Sequence, residues 1–314
     1  MMKIVRERRE AVALAKRRVS LTDLLWEAEK RTHHSLVDRL RKSSAAGGSG
    51  CYNVVAEVKK ASPSAGLLRA TYAPARIAKA YERAGAVGIS VLTEPKHFQG
   101  SEADLRVVRK AVSLPVLRKD FVCDPYQLAE AAAWGADVVL LIAAALEPGR
   151  CEVLYRESVE LGLEVIIEVH TRDELDVALA CEGAIIGVNS RNLKTLKTDL
   201  AIAHGLAAAM PLDRLCIAES GIRTRDDLEG LQVAGYDGFL IGESLLRQRS
   251  PGRALGRLVG GGGGVEGDRV PSSLCKLRRT SEGSGFRVQD RKWERVREGF
   301  RQRRISLRLS MGDG

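Results

Sequence analysis

The sequence predicts an α/β protein whose body is a (β/α)8 barrel, preceded by an N-terminal helical extension and followed by a disordered basic tail. Three observations point there. Eight short runs rich in Val, Ile and Leu recur between residues 54 and 243, at start-to-start intervals of 20 to 34 residues. Each interval has room for one helix and two short loops, the crossover that neighbouring parallel strands require. The runs are nearly continuous in apolar residues, as strands covered on both faces should be. Eight units fit a closed barrel better than an open doubly wound sheet, and no G-x-G-x-x-G follows the first run.

Taken in order, residues 1–42 read as helix, with charges on most faces, the apolar set Leu21, Leu24, Leu25 and Trp26, and an N-cap at Ser20 or Thr22. KSSAAGGSG at 42–50 breaks the pattern as a loop. The strand runs are VVAEVK (54–59), GISVLT (88–93), PVLRKD (115–120), VVLLIA (138–143), EVIIEV (164–169), AIIGVN (184–189), LCIAES (215–220) and GFLIGE (238–243). Between them, residues 76–85, 102–111, 126–134, 153–161, 173–180, 200–209 and 225–234 carry apolar residues at helical spacing. Gly85, Gly135, Gly162 and Gly235 follow last turns, where a left-handed residue closes a helix. After residue 259, five consecutive glycines open an Arg-, Ser- and Gly-rich segment with few apolar residues, read as disordered with a basic helix near 291–304. The division is therefore a barrel domain over 1–259, helical extension 1–42 included, and a tail over 260–314.

Composition bounds the function. A chain of 314 residues with 45% apolar and 29% charged side chains can bury a large core. No apolar run approaches the roughly 20 residues of a membrane-spanning helix, and the N-terminus has charges where a signal peptide needs an apolar stretch. A cytoplasmic protein with no membrane partner is expected. Of the net charge of +10, the tail carries +6 and the body +4. With 4% aromatic residues the body lacks the basic, aromatic-interleaved stripe of a nucleic-acid reader, so nucleic acid is not the expected partner. An anionic small molecule fits equally well, acted on by a monomer or weak homodimer. The six cysteines lie far apart, without the spacing of a zinc site or a disulfide framework, and neither a metal nor an organic cofactor is expected.

In a (β/α)8 barrel the chemistry sits at the C-terminal ends of the strands. Here those ends are polar: Glu57 and Lys59, Lys119 and Asp120, Glu168 and His170, Asn189 and Arg191, Glu219 and Ser220. Residues two apart on a strand share a face, which puts Glu57 and Lys59 together in the lumen and Val58 outside. One buried Lys/Glu couple is readily a structural ion pair; a barrel core gains nothing from burying so many charges on several strands, which favours a site. Phosphate is the second theme. Ser62-Pro63-Ser64-Ala65-Gly66 follows the first run, while Ser220-Gly221 and Gly242-Glu243 close the seventh and eighth, where this fold cradles phosphate on backbone N–H groups. These residues leave open an isomerase or aldolase of sugar phosphates with Lys119 as a Schiff base, and a nucleic-acid tether in the tail. His33, His34, His97 and His204 read as surface residues.

AEVKKASPSAG (56–66), VLRKDF (116–121), VVLLIAAAL (138–146), IIEVH (166–170), IGVNSRNL (186–193), AESGI (218–222) and FLIGESLL (239–246) together resemble indole-3-glycerol phosphate synthase, a TIM-barrel enzyme of tryptophan biosynthesis. The likeness runs from the N-terminal helix to about residue 259. It implies a carboxy-lyase that closes 1-(o-carboxyphenylamino)-1-deoxyribulose 5-phosphate to indole-3-glycerol phosphate, losing carbon dioxide and water. It further implies Lys119 as the acid on the ribulose carbonyl and Glu168 as the acid-base group of dehydration. Lys59 would hold the anthranilate carboxylate or act as a second acid, Glu57 would orient it, Asn189 would orient by its amide, and Arg191 would clamp a carboxylate. Phosphate falls to Ser62, Ser220, Gly221, Gly242 and the backbone of Glu243; Phe121, Leu140 and Leu193 form a slot for the benzene ring. One position departs: Glu243 stands where some members carry Ser, so its carboxylate has to turn away from phosphate.

Overall fold

Eight parallel strands close into a ring in the computed structural model, which describes residues 1–45, 52–192 and 195–260, with 43–45 as backbone alone. The first strand, β1 (Val54–Val58), is followed by a small antiparallel hairpin of β2 (Ala61–Ser62) and β3 (Gly66–Leu67). The ring continues through β4 (Gly88–Leu92), β5 (Val116–Lys119), β6 (Val138–Ile142), β7 (Glu164–Val169), β8 (Ile185–Asn189), β9 (Cys216–Glu219) and β10 (Gly238–Ile241). Every neighbour follows in sequence, and β10 returns to β1 through Val54↔Phe239. Each expected run is a strand, trimmed by no more than two residues at either end; the hairpin had no counterpart in the reading.

The crossovers are helical as expected: α4 (Pro74–Arg83), α5 (Glu102–Ala111), α6 (Pro125–Trp134), α7 (Arg150–Glu160), α8 (Arg172–Ala180), α9 (Ala201–Ala207) and α10 (Arg225–Ala234), with α11 (Glu243–Leu246) and α12 (Pro251–Val259) after β10. Ser101, Asp124, Thr171 and Thr224 cap four of them by accepting backbone N–H bonds. Gly135 and Gly235 end α6 and α10 at φ of 93° and 109°.

Alternation along the strands makes two cores. Val54, Ala56 and Val58, like Val139, Leu141, Val165 and Ile167, face outward beneath the helices. Val55, Leu117, Val138, Leu140, Ile166, Ile185, Ile217 and Leu240 fill the lumen.

The extension is three helices, α1 (Met2–Ala15), α2 (Leu21–Ala28) and α3 (Leu36–Ala45), the second starting where an N-cap was expected. Ser20 starts α2 by accepting from Asp23 N at 3.1 Å. The break before α3 is set from outside, since Glu164 at the base of β7 accepts the N–H groups of Leu36 and Val37 at 2.8 and 3.1 Å. That anchor seats Leu36 and Leu40, both fully buried, in the bottom of the barrel. A Cβ on Gly88 would stand 3.1 Å from Leu36 Cδ1, and one on Gly238 2.8 Å from Leu40 Cδ2, so the plug requires bare backbone there. Helix α2 packs on α6 through Leu24, Tyr126, Ala129 and Ala133, and α1 crosses the mouth with Val5 joined to the lumen core.

The histidines correct the surface reading. His33 lies within 3.7 Å of Asp137 and 3.6 Å of Glu164, His97 within 2.6 Å of Glu7, and His34 is half-buried; His204 is exposed. No helix among the described residues is long and apolar enough to cross a membrane. The expected disordered tail and its basic helix fall, from residue 261 on, outside the described residues.

Candidate active site

The lumen-facing residue at the upper end of a barrel strand meets its counterparts from the other strands, and here those positions are ionisable. Glu57 ends β1, Lys119 β5, Glu168 β7, Asn189 β8 and Glu219 β9, all buried except Lys119, which is half-buried. The register sets Glu168 beside Gly187 and Asn189 beside Glu219. Above them opens a cavity of about 660 Å3. Glu57, Lys59, Ser62, Lys119, Phe121, Glu168, Asn189, Arg191, Ser220, Gly221, Gly242 and Glu243 all line it, with Leu140 in its floor; Leu193 lies outside the described residues.

Two lumen glycines make space for two carboxylates. A Cβ on Gly187 would stand 2.5 Å from Glu219 Oε1, and one on Gly242 2.3 Å from Glu57 Oε1. With that space open, Lys119 Nζ lies 2.6 Å from Glu219 Oε2 and 3.2 Å from Glu168 Oε2, while Lys59 pairs with Glu57. Burial alone lowers the proton affinity of Lys119, but the carboxylates of Glu219, Glu168 and Glu57 outweigh it and hold the ammonium charged beyond the usual lysine range. Glu168 is also desolvated, yet Lys119, His170 and the Asn189 amide keep its proton affinity below normal. Glu219 goes the other way. Its burial and the nearby charge of Glu168 exceed the pull of Lys119 and push it up to about 7. One ammonium thus sits between a carboxylate that stays ionised and one that gains and loses its proton near neutrality.

The opposite rim turns sharply. Ser220 and Gly221 follow β9 with φ of 66° and 84°, a conformation a serine adopts at a cost of about 1–3 kcal/mol. Beside them, Glu243 does turn aside: its carboxylate takes Arg247 at 3.0 Å and Arg191 at 3.4 Å. Arg191 therefore stands at the Gly242 end of the cavity and donates its Nη1 to Leu196 O at 2.9 Å. Ser62 Oγ accepts from the Ala65 N–H at 3.2 Å, bracing the hairpin.

Several lining residues went unassigned in the sequence. Glu219 stands among the polar strand ends, yet received no role; the signal was Gly187, whose missing side chain the glutamate occupies. Phe98, whose ring centroid lies 6.2 Å from that of Phe121, together with Met1 just before α1 and Ile4 within it, completes an apolar wall. Arg223 and Arg247 also line the cavity. His170 backs Glu168 at 3.5 Å, held by Glu174 at 3.2 Å, and is absent from the cavity lining.

The mouth of the barrel thus carries a polar ring with one shared ammonium beside an apolar wall. The family model described as indole-3-glycerol phosphate synthase matches residues 1–258, nearly all of the described body. This chain accordingly belongs to the indole-3-glycerol phosphate synthase family, the carboxy-lyases of tryptophan biosynthesis.

Proposed function

We propose a division of labour among these residues for the ring closure of 1-(o-carboxyphenylamino)-1-deoxyribulose 5-phosphate. The observation that carries it is Lys119, clasped by Glu168 and Glu219 with opposite displacements of their proton affinities. The phosphate is held by Ser220, Gly221, Gly242 and the backbone N–H of Glu243, with Ser62 across the mouth. Arg191 adds positive charge at this end, where the family likeness alone had suggested a carboxylate clamp. Lys59, oriented by Glu57, holds the anthranilate carboxylate, and the ring lies against Phe98, Phe121 and Leu140. Gripping both ends of a floppy chain supplies the attack geometry from remote binding energy.

In the first step the aromatic carbon bearing the carboxylate attacks the ribulose carbonyl carbon, and Lys119 protonates the carbonyl oxygen. The carboxylate leaves as carbon dioxide and its electron pair restores the aromatic ring. In the second step the new hydroxyl leaves as water with a proton from Glu219, while Glu168, turned by Asn189, takes the proton from the adjacent ring carbon. The two steps lose one carbon dioxide and one water, leaving indole-3-glycerol phosphate. Two carboxylates holding Lys119 charged also make it a poor amine nucleophile, which favours the acid over a Schiff base. We place the reaction in the cytoplasm, carried out by a monomer or weak homodimer.

The test is indole fluorescence from the carboxyphenylamino-deoxyribulose phosphate. Lys119→Ala is expected to lose about 10²- to 10⁴-fold in kcat. A folded variant retaining more than about a tenth of the rate would overturn the acid role, and substrate-dependent inactivation by borohydride would favour the Schiff base.

A further inference from the structure

We propose that Glu7 and Arg8, consecutive residues of α1, are positioning residues that set the aromatic wall against which the substrate's ring is held; this rests on the division of labour above. The wall is Phe98 and Phe121, which come from two different crossovers. Each is reached by one of the two α1 residues through a short chain of contacts. Arg8 Nη2 lies 2.8 Å from Asp120 Oδ2, and the other oxygen of that carboxylate accepts from the backbone N–H of Phe121 at 2.8 Å. Glu7 takes Lys96 Nζ at 2.7 Å and His97 Nε2 at 2.6 Å, the two residues before Phe98. Glu94 gathers the N–H groups of Lys96, His97 and Phe98 at 3.0, 2.6 and 3.0 Å, so this turn moves as one piece with the ring at its end.

The charge arithmetic ties the wall to the helix. Buried behind β5, Arg118 meets Asp120 and Glu130, each at 3.1 Å, and Thr93 donates to Asp120 at 2.7 Å. One guanidinium faces two carboxylates there, and Arg8 of α1 is the second cation that balances them. Docking α1 therefore neutralises a buried acid adjoining both Lys119 and Phe121. The same docking brings Met1 and Ile4 to the cavity. The phosphate rim lies on β9 and β10, away from these contacts, so the clamp acts on the ring end of the substrate alone.

That separation supplies the test. In the full-length protein, Glu7→Ala and Arg8→Met should raise KM about fivefold to tenfold, with a smaller fall in kcat. Arg8→Lys should recover part of the Arg8→Met loss. Inhibition by inorganic phosphate, read in the same assay, should be unchanged in all three, because phosphate alone does not use the wall. Glu7→Ala alters a half-buried side chain outside the buried cluster of Arg8, Asp120 and Arg118, which keeps the proposal testable even if Arg8→Met fails to fold. A folded Glu7→Ala enzyme with unaltered KM would overturn the clamp. So would loss of phosphate inhibition in parallel with KM, which would mark general distortion of the mouth. Absence of product from the unaltered protein would instead overturn the residue roles beneath it.

Discussion

Replacing Glu219 by Gln removes one ionisable proton from the centre of the cavity while keeping the side chain's shape. Burial and Glu168 hold this carboxyl at about 7 rather than the ordinary 4.5. At about 1.4 kcal/mol per pH unit, that displacement withholds about 3 kcal/mol of stability once the group is ionised. The affinity is raised, so the group's contribution is fully present below pH 4.5 and is lost as pH rises through about 7. Native protein should therefore melt progressively earlier between these limits, while the Gln variant lacks that decline and is the more stable of the two at pH 8. Activity should move oppositely. If Glu219 gives its proton to the departing hydroxyl, the variant loses about 10²- to 10⁴-fold in kcat and no longer shows the fall above pH 7. Indole fluorescence and thermal melting, recorded from pH 5 to 9 on both proteins, read the two effects side by side. A Gln variant with native kcat and an intact alkaline limb would refute the reasoning.

Two substitutions separate site from scaffold. Gly242→Ala places a methyl 2.3 Å from Glu57 Oε1 and 2.9 Å from its Cβ; we expect a cost of about 1–3 kcal/mol in denaturant unfolding together with a large fall in kcat as Glu57 and Lys59 are displaced. Leu40→Ala empties the plug at the opposite end, with an expected loss of about 2–5 kcal/mol and a kcat unchanged at temperatures where the variant stays folded.

The barrel was legible because its two signals are local. Apolar runs such as EVIIEV are buried between two covered faces, and helix-closing glycines such as Gly135 and Gly235 act within one turn. Candidate residues at strand ends were legible for a related reason, since alternation on a strand fixes which side chains share the lumen, as Glu57 and Lys59 do. What escaped depends on partners far along the chain. The break between α2 and α3 is set by Glu164, more than a hundred residues away, and no local pattern announces it. Glu219 escaped because its raised proton affinity comes from burial in the closed lumen and from Glu168, set against Lys119, and all three depend on other strands. Likewise His97 gave no sign of Glu7, or Glu243 of Arg191.

The route of the extension bears on the order in which the molecule is assembled. Helix α3 stoppers the ring from below against Gly88 and Gly238, while α1 rests on Asp120 and the turn at 96–98 above. The ring itself shuts when β10, spanning 238–241, reaches β1. Contacts of such long sequence separation form slowly. Residues 1–45, which precede the body in the chain, must therefore wait for nearly all of it to be made before their seats exist, and are among the last of the described segments to find their place.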